Sequence, residues 1–227
     1  AFCAGGDIVD LYTEGVKGHD DMARKFWRDE YRVNAAIENY AKPYIAIMDG
    51  IVMGGGVGIS AHGSHRIVTE RTMFAMPECA IGIIPDVGGS LLLARMPGHC
   101  GEYAGLTGAR LYGDACICVG LADFSVECDK LHALATALCE TGDPETIRQF
   151  ASVPPTSDLE LNINEINTLF NASTVAEIHS ALQNATSDFA KTAAKGLSRG
   201  APLGLMSALK TIHKARLDDD MALALRN

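Results

Sequence analysis

The chain has 227 residues, of which 48% are hydrophobic and 21% are charged, so it can build the core of one ordinary domain with a smaller appendage. The net charge of −9, without a long run of lysine or arginine, argues against a nucleic-acid-binding face. The longest charge-poor stretch is too short and too rich in glycine to predict a membrane span, and no targeting segment is visible.

The predicted elements of the first half are, in chain order, a helix (20–40), a strand (44–48), a glycine turn (53–58) with a short helix to residue 61, two strands (66–69 and 73–76), two helices (90–96 and 99–106) and a weak strand (124–126). The succession of strand, glycine turn, helix and strand is a βαβ pattern, which indicates a layered α/β core. From residue 129 onward the signals are helical, with helix starts predicted at Pro144 and Thr174 and a linker at 152–158.

Cysteine and histidine positions predict neither disulfides nor a metal site. The chain has seven cysteines, and the two that are close together, Cys116 and Cys118, lack zinc-ligand spacing. We therefore expect reduced thiols in an intracellular compartment. His62 and His65 flank a glycine without neighbouring carboxylates or cysteines, so a structural role is favoured for both.

Two glycine-rich loops are the main candidates for ligand binding, Ala4 to Asp7 and Gly54 to Gly56. A glycine turn that leads into a helix exposes unpaired N–H groups at the positive end of that helix, so it can bind an anion or an oxygen that becomes one. The alternative is that the glycines serve only tight turns and helix packing. Neither loop has the spacing of a dinucleotide site or a P-loop.

Three carboxylates stand in segments that could carry chemistry. Glu78 and Asp86 lie among apolar residues eight positions apart, and two such carboxylates can divide the roles of acid, base and nucleophile. The alternatives are a solvent-exposed strand end for Glu78 and an ordinary helix N-cap for Asp86. Glu30 lies on the predicted first helix, where a solvated face is its simplest reading.

Five segments taken together resemble the crotonase (enoyl-CoA hydratase/isomerase) superfamily: 1–8, 42–50, 53–58, 74–78 and 81–89. The resemblance is dense to about residue 127 and weak beyond it. It implies an α/β fold with the repeated ββα spiral core of crotonases (1–127, N-terminally incomplete) and a mainly helical C-terminal region (128–227). Because the first strands and helix of that fold would precede Ala1, we expect either that the chain is a fragment or that its gene model is incomplete.

The resemblance also implies roles for single residues. The positions of Gly6 and Gly55 match the two N–H donors that hold the thioester oxygen of an acyl-CoA. Hydratases of the superfamily carry two catalytic glutamates; one matches Glu78, but the other falls on Gly58, which has no acid. Loss of that acid, together with Asp86, resembles the 3-hydroxyisobutyryl-CoA hydrolase branch, in which Glu30, Gly55, Glu78 and Asp86 contact the substrate.

We therefore expect hydrolysis of a short 3-hydroxyacyl-CoA in valine catabolism, with no cofactor besides the CoA of the substrate. The resemblance implies an acyl-CoA substrate, no nucleic-acid or membrane partner, and a mitochondrial location in a eukaryote or a cytoplasmic one otherwise. The superfamily often trimerises, and the oligomeric state stays open. The alternatives are a hydratase or isomerase on the same scaffold, and a non-catalytic component of the mitochondrial ribosome.

Overall fold

A computed structural model describes residues 1–226 of the chain. Its α-helices are α1 Ile8–Val16, α2 Asp20–Glu38, α3 Gly55–Gly58, α4 Gly89–Ala94, α5 Cys100–Thr107, α6 Gly113–Cys118, α7 Leu131–Thr141, α8 Asp158–Leu161, α9 Ile163–Leu169, α10 Val175–Asn184, α11 Asp188–Leu197, α12 Pro202–Asp218 and α13 Met221–Ala224. The strands are β1 Ile45–Met48, β2 Ile51–Met53, β3 His65–Val68, β4 Met73–Ala75, β5 Leu111–Tyr112 and β6 Phe124–Ser125. Short 3-10 helices occupy Glu78–Ile81, Cys128–Lys130 and Pro144–Gln149.

The strands form two three-stranded sheets, ordered β1-β3-β6 and β2-β4-β5. Parallel pairing of β1 with β3 places Ile47 opposite Ile67, which confirms the predicted βαβ pattern. Strand β2 was not predicted as a strand, because its three residues follow β1 after a tight turn and look like the entry to the glycine loop. It pairs in parallel with β4, with Val52 opposite Phe74. The first four strands therefore alternate between the two sheets, and a helical turn follows β2 and again follows β4.

The N-terminal segment is attached to the second sheet. Cys3 forms a parallel bridge with Val52, and its N–H donates to the carbonyl oxygen of Ile51 at 2.8 Å. The Asp7 side chain then caps α1 by accepting hydrogen bonds from the N–H groups of Val9 and Asp10. The sequence had predicted only a loop here, and α1 is an addition. The loop that carries Gly6 is thus anchored on both sides.

The helical prediction beyond residue 129 is confirmed, with local corrections. Thr174 and Glu177 form the predicted capping box, and the Ile178 and Leu182 face is buried. The helix expected at Pro144 is a 3-10 helix rather than an α-helix. The predicted linker is irregular only between its ends, because Ser152 forms an antiparallel bridge with Ser125 and Asp158 begins α8. Ser157 within it is buried and caps α8.

The larger apolar core contains residues from both halves of the chain. It includes Val52, Phe74 and Leu93 from the first half and Ile166 and Ile212 from the second, all fully or almost fully buried. Packing of α12 against α4 and α5 joins the halves. The division of the chain at residue 127 stays a prediction. Within residues 1–226, every helix is too short or too polar to cross a membrane.

Candidate active site

The predicted site residues converge on one cavity. A cleft of about 230 Å³ lies where the two glycine loops, α2 and the segment from Pro77 to Asp86 meet. Its walls include all five candidates: Gly6, Gly55, Glu30, Glu78 and Asp86. The remaining walls are mostly apolar and are formed by side chains such as Phe26, Trp27, Ile81 and Ile83. An apolar cleft with a few polar groups is the usual form of a small-molecule site.

The two glycine loops touch one another. Gly5 has φ +105° and Gly54 has φ +53°, both in the region that side chains disfavour. A β-carbon at Gly5 would lie 3.4 Å from the backbone nitrogen of Gly55, and one at Gly55 would lie 3.7 Å from the nitrogen of Gly6. In the described structure neither the Gly6 nor the Gly55 N–H has an acceptor. Two free N–H groups at this spacing suit an oxygen that gains negative charge.

Glu78 is the most perturbed carboxyl of the cavity. It begins the 3-10 helix after Pro77, it is only 5% exposed, and its Oε2 has no hydrogen-bond partner among the described residues. Its Oε1 lies 3.8 Å from where a β-carbon of Gly54 would stand, so it borders the glycine turn. Burial, with a smaller contribution from the negative charge of Asp86, raises the pKa of Glu78 to about 8. The solvent-exposed reading of Glu78 is therefore wrong.

Glu30 reaches the cavity from the second helix. Its Oε1 would be 2.5 Å from a β-carbon at Gly55, so it lies directly over the glycine turn. Burial and the nearby Asp86 raise the pKa of Glu30 to about 7. A carboxyl in this position is not part of a solvated helix face.

Asp86 lines the same cavity and directly precedes the strained residue Val87. Burial raises the pKa of Asp86, while a hydrogen bond from the Tyr31 hydroxyl, 3.2 Å from Oδ2, opposes that rise. The next residue, Val87, is buried and has φ +48°. A β-branched residue in this conformation costs about 1–3 kcal/mol, so the surrounding structure must hold it there. Asp86 therefore does not act as an ordinary side-chain cap of the helix that follows, and α4 has no side-chain cap.

The space at Gly58 is closed. A β-carbon there would lie 2.5 Å from Nδ2 of Asn34 and 2.9 Å from the β-carbon of Val87. Asn34 is fully buried, and neither of its amide atoms has a hydrogen-bond partner among residues 1–226. The position at which hydratases of the resembling superfamily carry an acid thus has neither an acid nor room for one.

The charged side chains that line the cavity are all carboxyls. Among the described residues that line the cavity, none is lysine, arginine or histidine. Residues 1–226 also contain no group of three or more side chains arranged to hold a metal ion. The free N–H groups of Gly6 and Gly55 can stabilise negative charge that develops on a bound substrate.

Three residues around the site were not predicted to matter. Tyr31 donates to Asp86, Asn34 fills the space above Gly58, and the buried ring of His62 bonds to the carbonyl oxygen of Val87. Asn34 follows Glu30 by one helical turn, and this spacing is the sequence signal that could have placed both on one face. His62 had no local signal, because its partner is 25 residues away.

Comparison with known proteins assigns the family. The sequence model of the enoyl-CoA hydratase/isomerase family matches residues 1–227. The chain belongs to this family. The crotonase fold expected from the sequence is therefore confirmed.

Members and solved structures of the family carry names of different activities. The chain is 42% identical to a mitochondrial 3-hydroxyisobutyryl-CoA hydrolase of Xenopus tropicalis, over 90% of this chain and 56% of the relative. It is 39% identical to 3-hydroxyisobutyryl-CoA hydrolase 1 of Arabidopsis thaliana, over 96% and 61%. A crystal structure described as a carnitinyl-CoA dehydratase from Mycobacterium thermoresistibile is 43% identical, with a TM-score of 0.95 over 99% of this chain and 66% of that one. The chain thus spans less than two thirds of these family members.

Proposed function

We propose that this protein hydrolyses the thioester of a short 3-hydroxyacyl-CoA, with 3-hydroxyisobutyryl-CoA as its substrate. Water and the thioester give the free 3-hydroxy acid and the thiol of CoA. The reaction belongs to valine breakdown, and the mitochondrial names of the hydrolase relatives support a mitochondrial location if the organism is a eukaryote. The only CoA required is that of the substrate.

One observation carries the proposal: the buried carboxyl of Glu78, whose Oε2 has no hydrogen-bond partner among the described residues, borders the glycine turn, and position 58 has no space for the second acid of a hydratase. Glu78 borders the turn, whereas a side chain at Gly58 would meet Asn34 and Val87. Addition of water across a double bond needs a second acid–base group, and thioester hydrolysis needs one carboxylate at the carbonyl carbon. The names of the hydrolase relatives agree with this choice.

In the proposed reaction the thioester oxygen accepts hydrogen bonds from the N–H groups of Gly6 and Gly55. These bonds strengthen as the oxygen becomes an oxyanion, and loss of one such donor typically costs roughly 3–4 kcal/mol of barrier. The low polarity of the cavity walls increases the effect, because water does not screen the developing charge.

Glu78 acts at the carbonyl carbon in its ionised form. It either attacks the carbon, expelling the CoA thiolate and leaving a mixed anhydride that water then opens, or it takes a proton from the water that attacks. Both routes need the same carboxylate at the same place. Heavy oxygen from water in the Glu78 carboxylate, detected by mass spectrometry of its peptide after turnover, identifies the anhydride route, because proton transfer to the carboxylate places no label there.

Asp86 and Glu30 contact different groups of the substrate in the proposed reaction. Asp86 protonates the leaving thiolate or orients water and the substrate hydroxyl, since its carboxyl lines the cavity and burial raises its pKa. Glu30 lies directly over Gly55 and binds the 3-hydroxyl group. A carboxyl with a pKa of about 7 can either donate a hydrogen bond to this hydroxyl or accept one from it.

The test is a comparison of two reactions catalysed by the full-length protein. Release of free thiol from 3-hydroxyisobutyryl-CoA is followed with a thiol reagent, and hydration of crotonyl-CoA is followed by loss of the enoyl absorbance. We expect thiol release without hydration. Hydration without thiol release would replace the proposal with a hydratase, and absence of both activities would favour a non-catalytic role.

A further inference from the structure

A buried histidine is bonded to the turn that carries Asp86. The side chain of His62 is completely inaccessible to solvent, and its Nε2 lies 2.7 Å from the carbonyl oxygen of Val87. Because a carbonyl can only accept, Nε2 carries the hydrogen of this bond. The ring also packs on the next residue, since a β-carbon at Gly88 would lie 2.9 Å from Cε1 of His62.

The carbonyl that His62 holds belongs to the strained residue of the turn. Val87 has φ +48°, a conformation that a β-branched side chain disfavours and that must be maintained by its surroundings. Rotation of Val87 toward a relaxed conformation would turn its carbonyl away from His62. It would also redirect the chain at Asp86, whose carboxyl is otherwise held by the Tyr31 hydroxyl.

Glu38 faces His62 from the other side, although Nδ1 of the ring has no hydrogen-bond partner among the described residues. Oε2 of Glu38 lies 3.6 Å from its Nδ1, and Oε1 of the same carboxylate lies 3.5 Å from Nη1 of Arg95. Contact with His62 lowers the pKa of Glu38, against the effect of burial, so a negative charge faces the ring. Glu30 and Glu38 stand on one helix, eight residues apart, so α2 presents one carboxylate to the cavity and another to the histidine.

We infer that His62 is a positioning residue for Asp86: its bond to the Val87 carbonyl keeps the strained turn in the conformation that aims the Asp86 carboxyl into the cavity. The inference rests on the proposed thioester hydrolysis only for its kinetic readout. His62 does not line the cleft, and it lies behind the turn that carries Asp86.

The kinetic test is a double-mutant cycle in the full-length protein. His62→Leu removes the bond, and we expect kcat for thiol release to fall about 10- to 100-fold with KM changed less than about 3-fold, as for a misplaced catalytic group. His62→Gln can still donate to the carbonyl, so it should recover most of the loss. Glycine adopts the left-handed conformation without strain, so a glycine at position 87 would not need the bond from His62. In the Val87→Gly background, His62→Leu should therefore lower kcat by less than about 3-fold.

His65→Gln is the matched control, because His65 lies on β3 and stacks on Phe124 away from the cavity. The inference is overturned if His62→Leu keeps the kcat of this control, or if the loss is the same in the Val87→Gly background. Carboxyl carbon NMR of Asp86, assigned by Asp86→Asn, supplies a readout that does not depend on activity. An Asp86 titration that moves with His62→Leu and not with His65→Gln supports the inference even if thiol release, and with it the proposed function, fails.

Discussion

Gly58 and Asn34 are packed so closely that a β-carbon on the glycine would lie 2.5 Å from the amide nitrogen of the asparagine. Asn34 is fully buried on the inner face of α2, directly after the turn that carries Glu30. The packing of α2 against α3 therefore leaves no space for an acid at position 58. An acid at this position would require a different residue at position 34.

The first prediction concerns this contact. Gly58→Ala should lower the free energy of unfolding by about 1–3 kcal/mol, because the methyl group must displace the Asn34 amide and the Val87 side chain in a packed interior. Thermal or denaturant unfolding measures the change. Asn34→Ala in the same chain should restore part of the loss by opening the space.

Gly15→Ala is the matched control for that substitution. Gly15 is within α1, and a β-carbon there would meet no atom within 4 Å. Alanine in a helix is favoured over glycine, so this variant should be as stable as the wild type or more stable by up to about 1 kcal/mol. Equal stabilities of the two alanine variants would contradict the close packing at Gly58.

The second prediction concerns the pH dependence of catalysis. Glu78 must be ionised to attack or to accept a proton, and its pKa is raised to about 8. We therefore expect kcat/KM for thiol release to increase tenfold per pH unit below about pH 8 and to level off above it. Glu78→Gln should lower kcat by about 1000-fold at every pH, because the amide can neither attack nor take the proton.

Glu140→Gln, at an exposed position on α7, is the control and should keep the wild-type profile. A rate that is independent of pH in the wild type, or a Glu78→Gln variant with wild-type activity, would remove Glu78 from the reaction.

The third prediction concerns how ionisation of Glu78 changes the stability of the fold. An unfolded glutamate ionises near 4.5 and folded Glu78 near 8, so between these values the unfolded state loses its proton first. Stability therefore falls as pH rises from 4.5 to about 8, by on the order of 5 kcal/mol. Glu78→Gln removes this penalty. Its melting temperature should exceed that of the wild type at pH about 9 and not at pH about 4; a difference independent of pH would contradict the raised pKa.

The fourth prediction concerns the contact between α5 and α12. Glu102 is fully buried, and Nη1 and Nη2 of Arg216 lie 2.6 and 3.0 Å from its oxygens. Arg216→Ala removes both guanidinium bonds and leaves, among the described residues, only His99 and His213, 3.3 and 3.4 Å from Oε1, beside this buried carboxylate. The free energy of unfolding should therefore fall by about 3 kcal/mol at neutral pH. Denaturant unfolding measures the loss.

A surface pair provides the control. Arg148 lies 2.6 Å from Glu145, but both side chains are more than 60% exposed, so Arg148→Ala should cost at most about 1 kcal/mol. Burial alone would raise the pKa of Glu102, yet the bonds from Arg216 hold it below its ordinary value. The stabilisation is therefore present above about pH 4.5 and is lost as pH falls through the folded pKa. A cost of Arg216→Ala that persisted in full at acid pH would argue against the ion pair.

Local patterns were sufficient where neighbouring residues determine the structure. The capping box at Thr174 and the strand at Ile45–Met48 were predicted because each depends on residues a few positions apart. Strand β2 was not predicted, because three apolar residues become a strand only through pairing with β4 and Cys3. Helix α1 was missed for a related reason, since its start depends on how Asp7 is held after the bridge at Cys3.

The sequence alone determined the kind of site: two glycine loops, the carboxyls of Glu30, Glu78 and Asp86, and no acid at Gly58. These are chemical identities, and they do not depend on the fold. Only the tertiary structure decided the state of those groups, because burial, the proximity of Asp86 and the closed space between Gly58 and Asn34 arise from segments far apart in the chain. The strained turn at Val87 and its bond to His62 were also decided only by the tertiary structure. Neither the backbone conformation of Val87 nor the position of its distant partner leaves a signal in the local sequence.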